Sequence, residues 1–124
     1  MPAFRYLVDD VDAAVAFYER LGFVLSERWG PPFAIVTRDD VSLWLSGPGT
    51  SARRSLEDGA EPRPGGWNRL VLPVEDLAAT VAGLEAAGVR FRSRPVSGPG
   101  GQQALVDDPS GNPVELFEPR ERTG

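Results

Sequence analysis

Displaced by 66 residues, the second half of this chain falls on the first: Asp10 meets Asp76, Ala13 meets Ala79, Val15 meets Val81, Ala16 meets Ala82, Glu19 meets Glu85 and Gly22 meets Gly88. The matches include a helix cap, an apolar stripe and a helix stop, and agreement at all three marks an internal duplication. In the first copy, Asp9-Asp10-Val11-Asp12 offers N-cap acceptors and acids for the positive end of a helix. Ala14, Phe17, Tyr18 and Leu21 then recur at i, i+3, i+4 and i+7 before Gly22 stops the pattern. Glu75-Asp76, the stripe Leu77, Val81 and Leu84, and Gly88 repeat that grammar. Strands are predicted at 4–8, 23–29, 33–38 and 41–46, and again at 69–74, 89–94, 102–107 and 114–118. The expected fold is α+β: tandem βαβββ repeats forming a cupped mixed sheet with helices on the outer face. It forms a single domain over 1–124 whose modules, about 3–46 and 67–119, are joined by a Gly/Pro-rich loop, 47–66, with a weakly marked helical turn near Ser51.

The last hairpin is the most explicit piece. Asp108-Pro109-Ser110-Gly111-Asn112-Pro113 concentrates turn-forming residues between two apolar, β-prone segments. Alternation along the final strand sets Glu115 and Phe117 on one face and Val114 and Leu116 on the other. The same alternation puts Arg5 and Arg69 on the open face of their strands, at equivalent places in the two copies, while Phe4, Leu70 and Leu72 meet the helices. A sheet with a helix on one side leaves its other side open, and two such units can close over a shared cavity. The Gly98-Pro99-Gly100-Gly101 run lacks the helix and lysine of a phosphate loop and reads as a flexible hairpin lid.

Composition removes several chemistries. The chain has no cysteine and no histidine, and its thirteen basic residues are all arginine. Thiolate and imidazole nucleophiles, bases and metal ligands are therefore absent, as is Schiff-base lysine. A net charge of −5 argues against nucleic acid, which wants a basic face. No apolar run approaches the ~20 residues of a membrane helix and no signal-peptide pattern opens the chain, so a cytoplasmic location is expected.

The tandem repeat, with Asp10 capping a helix that carries Phe17-Tyr18 and ends at Leu21-Gly22-Phe23, and with the segment Asp107-Asp108-Pro109-Ser110-Gly111-Asn112-Pro113-Val114-Glu115-Leu116, resembles the vicinal oxygen chelate superfamily. That family includes glyoxalase I, extradiol dioxygenases and bleomycin resistance proteins. Its enzymes hold a divalent metal between the first and last strands of each half. The resemblance places those positions at Ala3 or Phe4, Trp44, Arg69 or Leu70, and Glu115. One carboxylate without histidine falls short of a divalent site, so no metal and no other cofactor is expected. The run Phe33–Arg38 through Val41–Ser46 is most similar to the metal-free bleomycin resistance proteins, which implies a homodimer that sequesters an aromatic or cationic small molecule.

The candidate ligand-binding residues are Trp29, Phe33, Trp44, Trp67, Arg5, Arg69, Glu115 and Phe117. The aromatics suit a flat conjugated ligand, unless each is ordinary core or dimer contact. The arginines could grip a carboxylate or phosphate, or pair with Glu115. Glu115 could instead act as acid/base in a cofactor-independent isomerase or cyclase. A metal-dependent glyoxalase or dioxygenase is the least favoured reading.

Overall fold

A computed structural model describes residues 2–120. It divides into two compact units, the first running to Gly65 and including Pro109–Asn112, the second comprising Gly66–Asp108 and the chain from Pro113 onward. Each unit is a βαβββ module with its own four-stranded sheet. The first contains β1 (Phe4–Leu7), α1 (Val11–Arg20), β2 (Val24–Trp29), β3 (Phe33–Arg38) and β4 (Val41–Ser46) in the order β1-β4-β3-β2. The second contains β5 (Leu70–Pro73), α2 (Leu77–Ala86), β6 (Phe91–Gly98), β7 (Gly101–Asp107) and β8 (Pro113–Pro119) in the order β5-β8-β7-β6. The β1/β4 and β5/β8 pairs are parallel and the others antiparallel.

The helices begin and end where the sequence marks them. Asp10 accepts from the Ala13 amide at 3.1 Å and Asp76 from the Ala79 amide at 3.0 Å, so each cap satisfies one of the donors a helix N-terminus leaves open. Gly22 and Gly88 follow the helices at φ +89° and +78°, a left-handed conformation that costs a side-chain-bearing residue. Tyr18 is the centre of the first core: fully buried, it makes edge contacts with Tyr6, Phe17 and Phe23 at 6.2, 5.0 and 5.5 Å between ring centroids. Among the described residues the second core has no such buried ring, and α2 buries Leu77, Val81 and Leu84. Val36, Leu43 and Leu45 line the helix side of the first sheet, and Leu70, Leu72, Val106, Val114 and Leu116 that of the second.

Strand register fixes what lies on the other side. Arg5 stands beside Trp44, and Val71 beside Glu115, so Trp44 is the first unit's counterpart of Glu115. Arg5 and Arg69 share the open-face parity, but they are not equivalent: the counterpart of Arg5 is Val71, and Arg69 lies one residue before β5. Phe4 is level with Leu43 on the helix side, yet it is exposed, not packed as expected.

The duplication extends to an irregularity in the ladders. In β2 the pairing jumps between Leu25 and Glu27, and in β6 between Phe91 and Ser93, so Ser26 and Arg92 are the extra residues of equivalent bulges. The β6 strand runs past the expected end at Arg94, through Pro95, to Gly98. It is an edge strand, and a second bulge between Ser93 and Val96 accommodates the proline, one of the few settings in a sheet that tolerate it. The ladder closes at Gly98↔Gly101, so the run forms the expected hairpin, with Pro99-Gly100 as its two-residue turn.

Polar turn residues do structural work. Within the first unit, the Ser110 hydroxyl accepts from the Asp9 amide at 2.8 Å, and Asn112 donates to the Leu7 carbonyl at 2.7 Å while accepting from the Gly65 amide at 2.8 Å. The loop 47–66 includes a short 3-10 turn, Ser51–Arg53. Arg53 donates to the Val8 carbonyl at 2.6 Å and pairs with Asp9 at 3.2 Å.

Candidate functional site

The open face of the first sheet carries a row of side chains, one from each strand: Arg5 on β1, Trp44 on β4, Phe33 on β3 and Trp29 on β2. The Arg5 guanidinium lies 5.2 Å from the Trp44 ring centroid, Trp44 and Phe33 meet edge to face at 6.0 Å, and Phe33 and Trp29 at 6.2 Å. Trp29 is 67% exposed and Trp44 37%, so neither is spent on the unit's core. Edge-to-face packing holds each ring against its neighbour, leaving an aromatic surface for a third flat body. Arg5 is fixed by its Nη1 donating to Ser46 Oγ at 2.9 Å, and Ser46 is completely buried.

The open face of the second sheet has a different chemistry. Glu115 is 8% exposed and accepts from Arg69 Nε and Nη2, at 3.2 and 3.1 Å, both at Oε1. Asp107, also buried, accepts from Arg92 Nε at 2.5 Å. The same arginine donates from Nη1 to the Gly66 carbonyl at 2.7 Å and lies 4.5 Å from the Trp67 ring centroid. Trp67 is 70% exposed, so this guanidinium backs an indole whose other side is open. Phe117, level with Pro73 on the Glu115 side of β8, lies near the turn at Gly100.

The candidates therefore sort into two groups: Arg5, Trp29, Phe33 and Trp44 in the first unit, and Trp67, Arg69, Glu115 and Phe117 in the second. Sequence reasoning missed Arg92 and Asp107. Alternation across an unbroken 89–94 strand gives no hint that a bulge turns Arg92 toward Asp107 and Trp67. Ser46 was likewise hidden, as an apparently ordinary strand end.

These residues do not fit a divalent metal. The paired first and last strands bring together Arg5 with Trp44 in one unit, and Val71 with Glu115 beside Arg69 in the other. Only Glu115 is a hard anionic donor, and its Oε1 is engaged by a guanidinium. Among the described residues no group of three or more His, Cys, Asp or Glu is placed to hold an ion, whereas divalent sites take several such ligands.

Comparisons agree with the fold. No curated protein matches the chain. Among solved structures, TnmS3, an antibiotic binding protein from Streptomyces sp. CB03234, is 29% identical over 97% of this chain and 97% of its own, with a TM-score of 0.69. Lactoylglutathione lyase from Agrobacterium tumefaciens is 24% identical over 95% and 92%, with a TM-score of 0.70. The hypothetical protein SA1046 from S. aureus is 16% identical over 95% and 92%, with a TM-score of 0.77. The model of the Glyoxalase/Bleomycin resistance protein/Dioxygenase superfamily matches residues 1–116, and the chain belongs to that superfamily.

Proposed function

We propose that this protein is a metal-independent small-molecule binder that sequesters a planar aromatic natural product, in the manner of antibiotic resistance by capture. The observation that carries the reading is the exposed aromatic row Trp29, Phe33 and Trp44. Covering ~200 Å² of a flat ligand's apolar surface at about 25 cal/mol per Å² is worth about 5 kcal/mol, more than one charge-assisted hydrogen bond at about 1.5–3 kcal/mol. Stacking therefore supplies most of the affinity and polar groups set selectivity. The likeness to an antibiotic binding protein over nearly the whole of both chains supports the same reading. A cationic ligand has less behind it, because Glu115 and Asp107 are both engaged by arginine. The protein is taken to act in the cytoplasm as a homodimer, an arrangement by which small duplicated domains bury further apolar surface; no helix among the described residues is long and apolar enough to cross a membrane.

Tryptophan fluorescence titration against bleomycin-type glycopeptides, planar polyketides and quinones, with product analysis, tests this. Saturable quenching by a ligand recovered unchanged is expected. Turnover of the ligand, or affinities for every ligand left unchanged by both Trp44→Ala and Trp67→Ala, would sink it. A second reading, a cofactor-independent isomerase or cyclase, has one observation in its favour: Glu115 is a buried carboxylate with a guanidinium at hydrogen-bond distance. In that case Glu115→Gln abolishes turnover and leaves binding in place.

A further inference from the structure

We infer that Arg5 is an anion anchor, and that the ligand of the first sheet's open face is a planar aromatic acid, a conjugated ring system bearing a carboxylate or an ionised phenol. The inference rests on that face being the binding surface and adds the ligand's charge. Its basis is the company Arg5 keeps. The arginines near the second open face have their charge matched, Arg69 by Glu115 and Arg92 by Asp107. Elsewhere Arg28 pairs with Asp12, Arg53 with Asp9 and Arg94 with Glu85. Arg5 has a ring and a hydroxyl, and among the described residues no carboxylate lies within 4.0 Å of it. Neither partner neutralises a guanidinium, and the Ser46 bond uses one of its five N–H donors.

Register places one carboxylate, Glu27, on the same face, since it pairs with Ile35 and Ile35 with Trp44. It is three strands from Arg5, roughly 14 Å at the usual strand spacing, beyond the Debye length of about 8 Å in physiological salt. A flat molecule lying on Trp44 and Phe33 thus has a fixed, unmatched cation at its β1 edge. The planar guanidinium suits the two oxygens of a carboxylate, and Ser46, completely buried, holds it from the side away from solvent.

The test uses three anthracenes of one shape: 9-anthracenecarboxylate, 9-anthracenemethanol and 9-(aminomethyl)anthracene, titrated into the full chain and into Arg5→Gln, Arg5→Lys and Trp44→Ala. The wild type is expected to bind the carboxylate about tenfold more tightly than the alcohol, and the ammonium most weakly. Arg5→Gln brings the carboxylate down to the alcohol's level, Arg5→Lys keeps about a third of the preference, and Trp44→Ala weakens all three alike. Circular dichroism and urea midpoints confirm that each variant is folded, and Arg5→Lys carries the test if Arg5→Gln is not. Equal binding of carboxylate and alcohol, or a preference that survives in Arg5→Gln, overturns the anchor and leaves the aromatic binder standing. Binding of none of the three overturns both, and if Trp44→Ala then also breaks a dimer, the face belongs to a second copy of the chain.

Discussion

The two units share a skeleton and differ in what they show on their open faces. Caps at Asp10 and Asp76, stops at Gly22 and Gly88, and bulges at Ser26 and Arg92 recur. Against that common frame, the first unit carries an aromatic row with a cation that has no carboxylate partner among the described residues, and the second carries arginine–carboxylate pairs. The clearest instance is a single register position, Trp44 in one unit and Glu115 in the other. Helix-side positions are held by packing, so they tolerate little change. Open-face positions are free to diverge, and chemistry accumulates there.

The largest test of this contrast lies in the cores. Tyr18→Ala removes a fully buried ring with three edge contacts and is expected to destabilise by about 3–5 kcal/mol. Leu84→Ala in α2 removes no such ring contact and should cost less, about 2–3 kcal/mol. Urea midpoints give both values. If Leu84→Ala proves as costly as Tyr18→Ala, the aromatic centre of the first unit is not what distinguishes it.

Next come the open-face arginines, where the two units make opposite predictions. Glu115→Gln leaves Arg69 facing a neutral amide in a partly buried setting and should cost about 1–2 kcal/mol of stability. Arg5→Gln breaks no ion pair and should change stability by less than about 0.5–1 kcal/mol, the worth of one ordinary hydrogen bond. Equal losses would mean that Arg5 is as structurally committed as Arg69, which would remove its claim to be available to a ligand.

What was legible in the chain follows the same division. The helices and the strands β3 and β4 were readable because their signals are local: an aspartate cap, a 3.6-residue stripe, a glycine stop, an apolar run between turns. The match of Trp44 with Glu115 was readable because both lie on the last strand of a repeat. Pro95 misled, since a proline reads as a strand end unless the strand is known to be an edge with a bulge. Arg92 was unreadable for a related reason: a bulge turns one side chain off the alternating pattern, and strand pairing, which is non-local, decides where the bulge falls. Arg5 and Arg69 share parity but not position, a difference that alternation alone does not reveal and that strand register decides.

Arg92 supplies a smaller, spectroscopic test. In a background with Trp29 and Trp44 changed to Phe, Trp67 reports alone. Arg92→Gln removes a cation from its ring, an interaction worth about 0.5–1 kcal/mol at an exposed site. Acrylamide quenching of Trp67 should rise and its anisotropy fall. An unchanged signal would mean that the indole is held by something other than the bulged arginine.

The smallest expected difference concerns the helix caps, where the repeat looks most symmetrical. Asp10 caps α1 through the Ala13 amide, and Asp76 caps α2 through the Ala79 amide. The α2 N-terminus has a further acceptor, because Glu118 Oε1 takes the Leu77 amide at 2.8 Å. Two of its open donors are therefore satisfied by carboxylates, and both negative charges lie at the positive end of the helix dipole. Asp10→Ala should cost about 1 kcal/mol, the usual worth of a cap, and Asp76→Ala less, about 0.5 kcal/mol, because the remaining carboxylate keeps α2 anchored at its first turn. Glu118→Gln retains an acceptor oxygen but loses the charge, so in that background Asp76→Ala should rise toward the Asp10→Ala value. Coupling of this sign in a double-mutant cycle would assign Glu118 to α2 as a second cap supplied by β8. Additive losses would leave Asp76 acting alone, as Asp10 does, and return the two helix starts to equivalence.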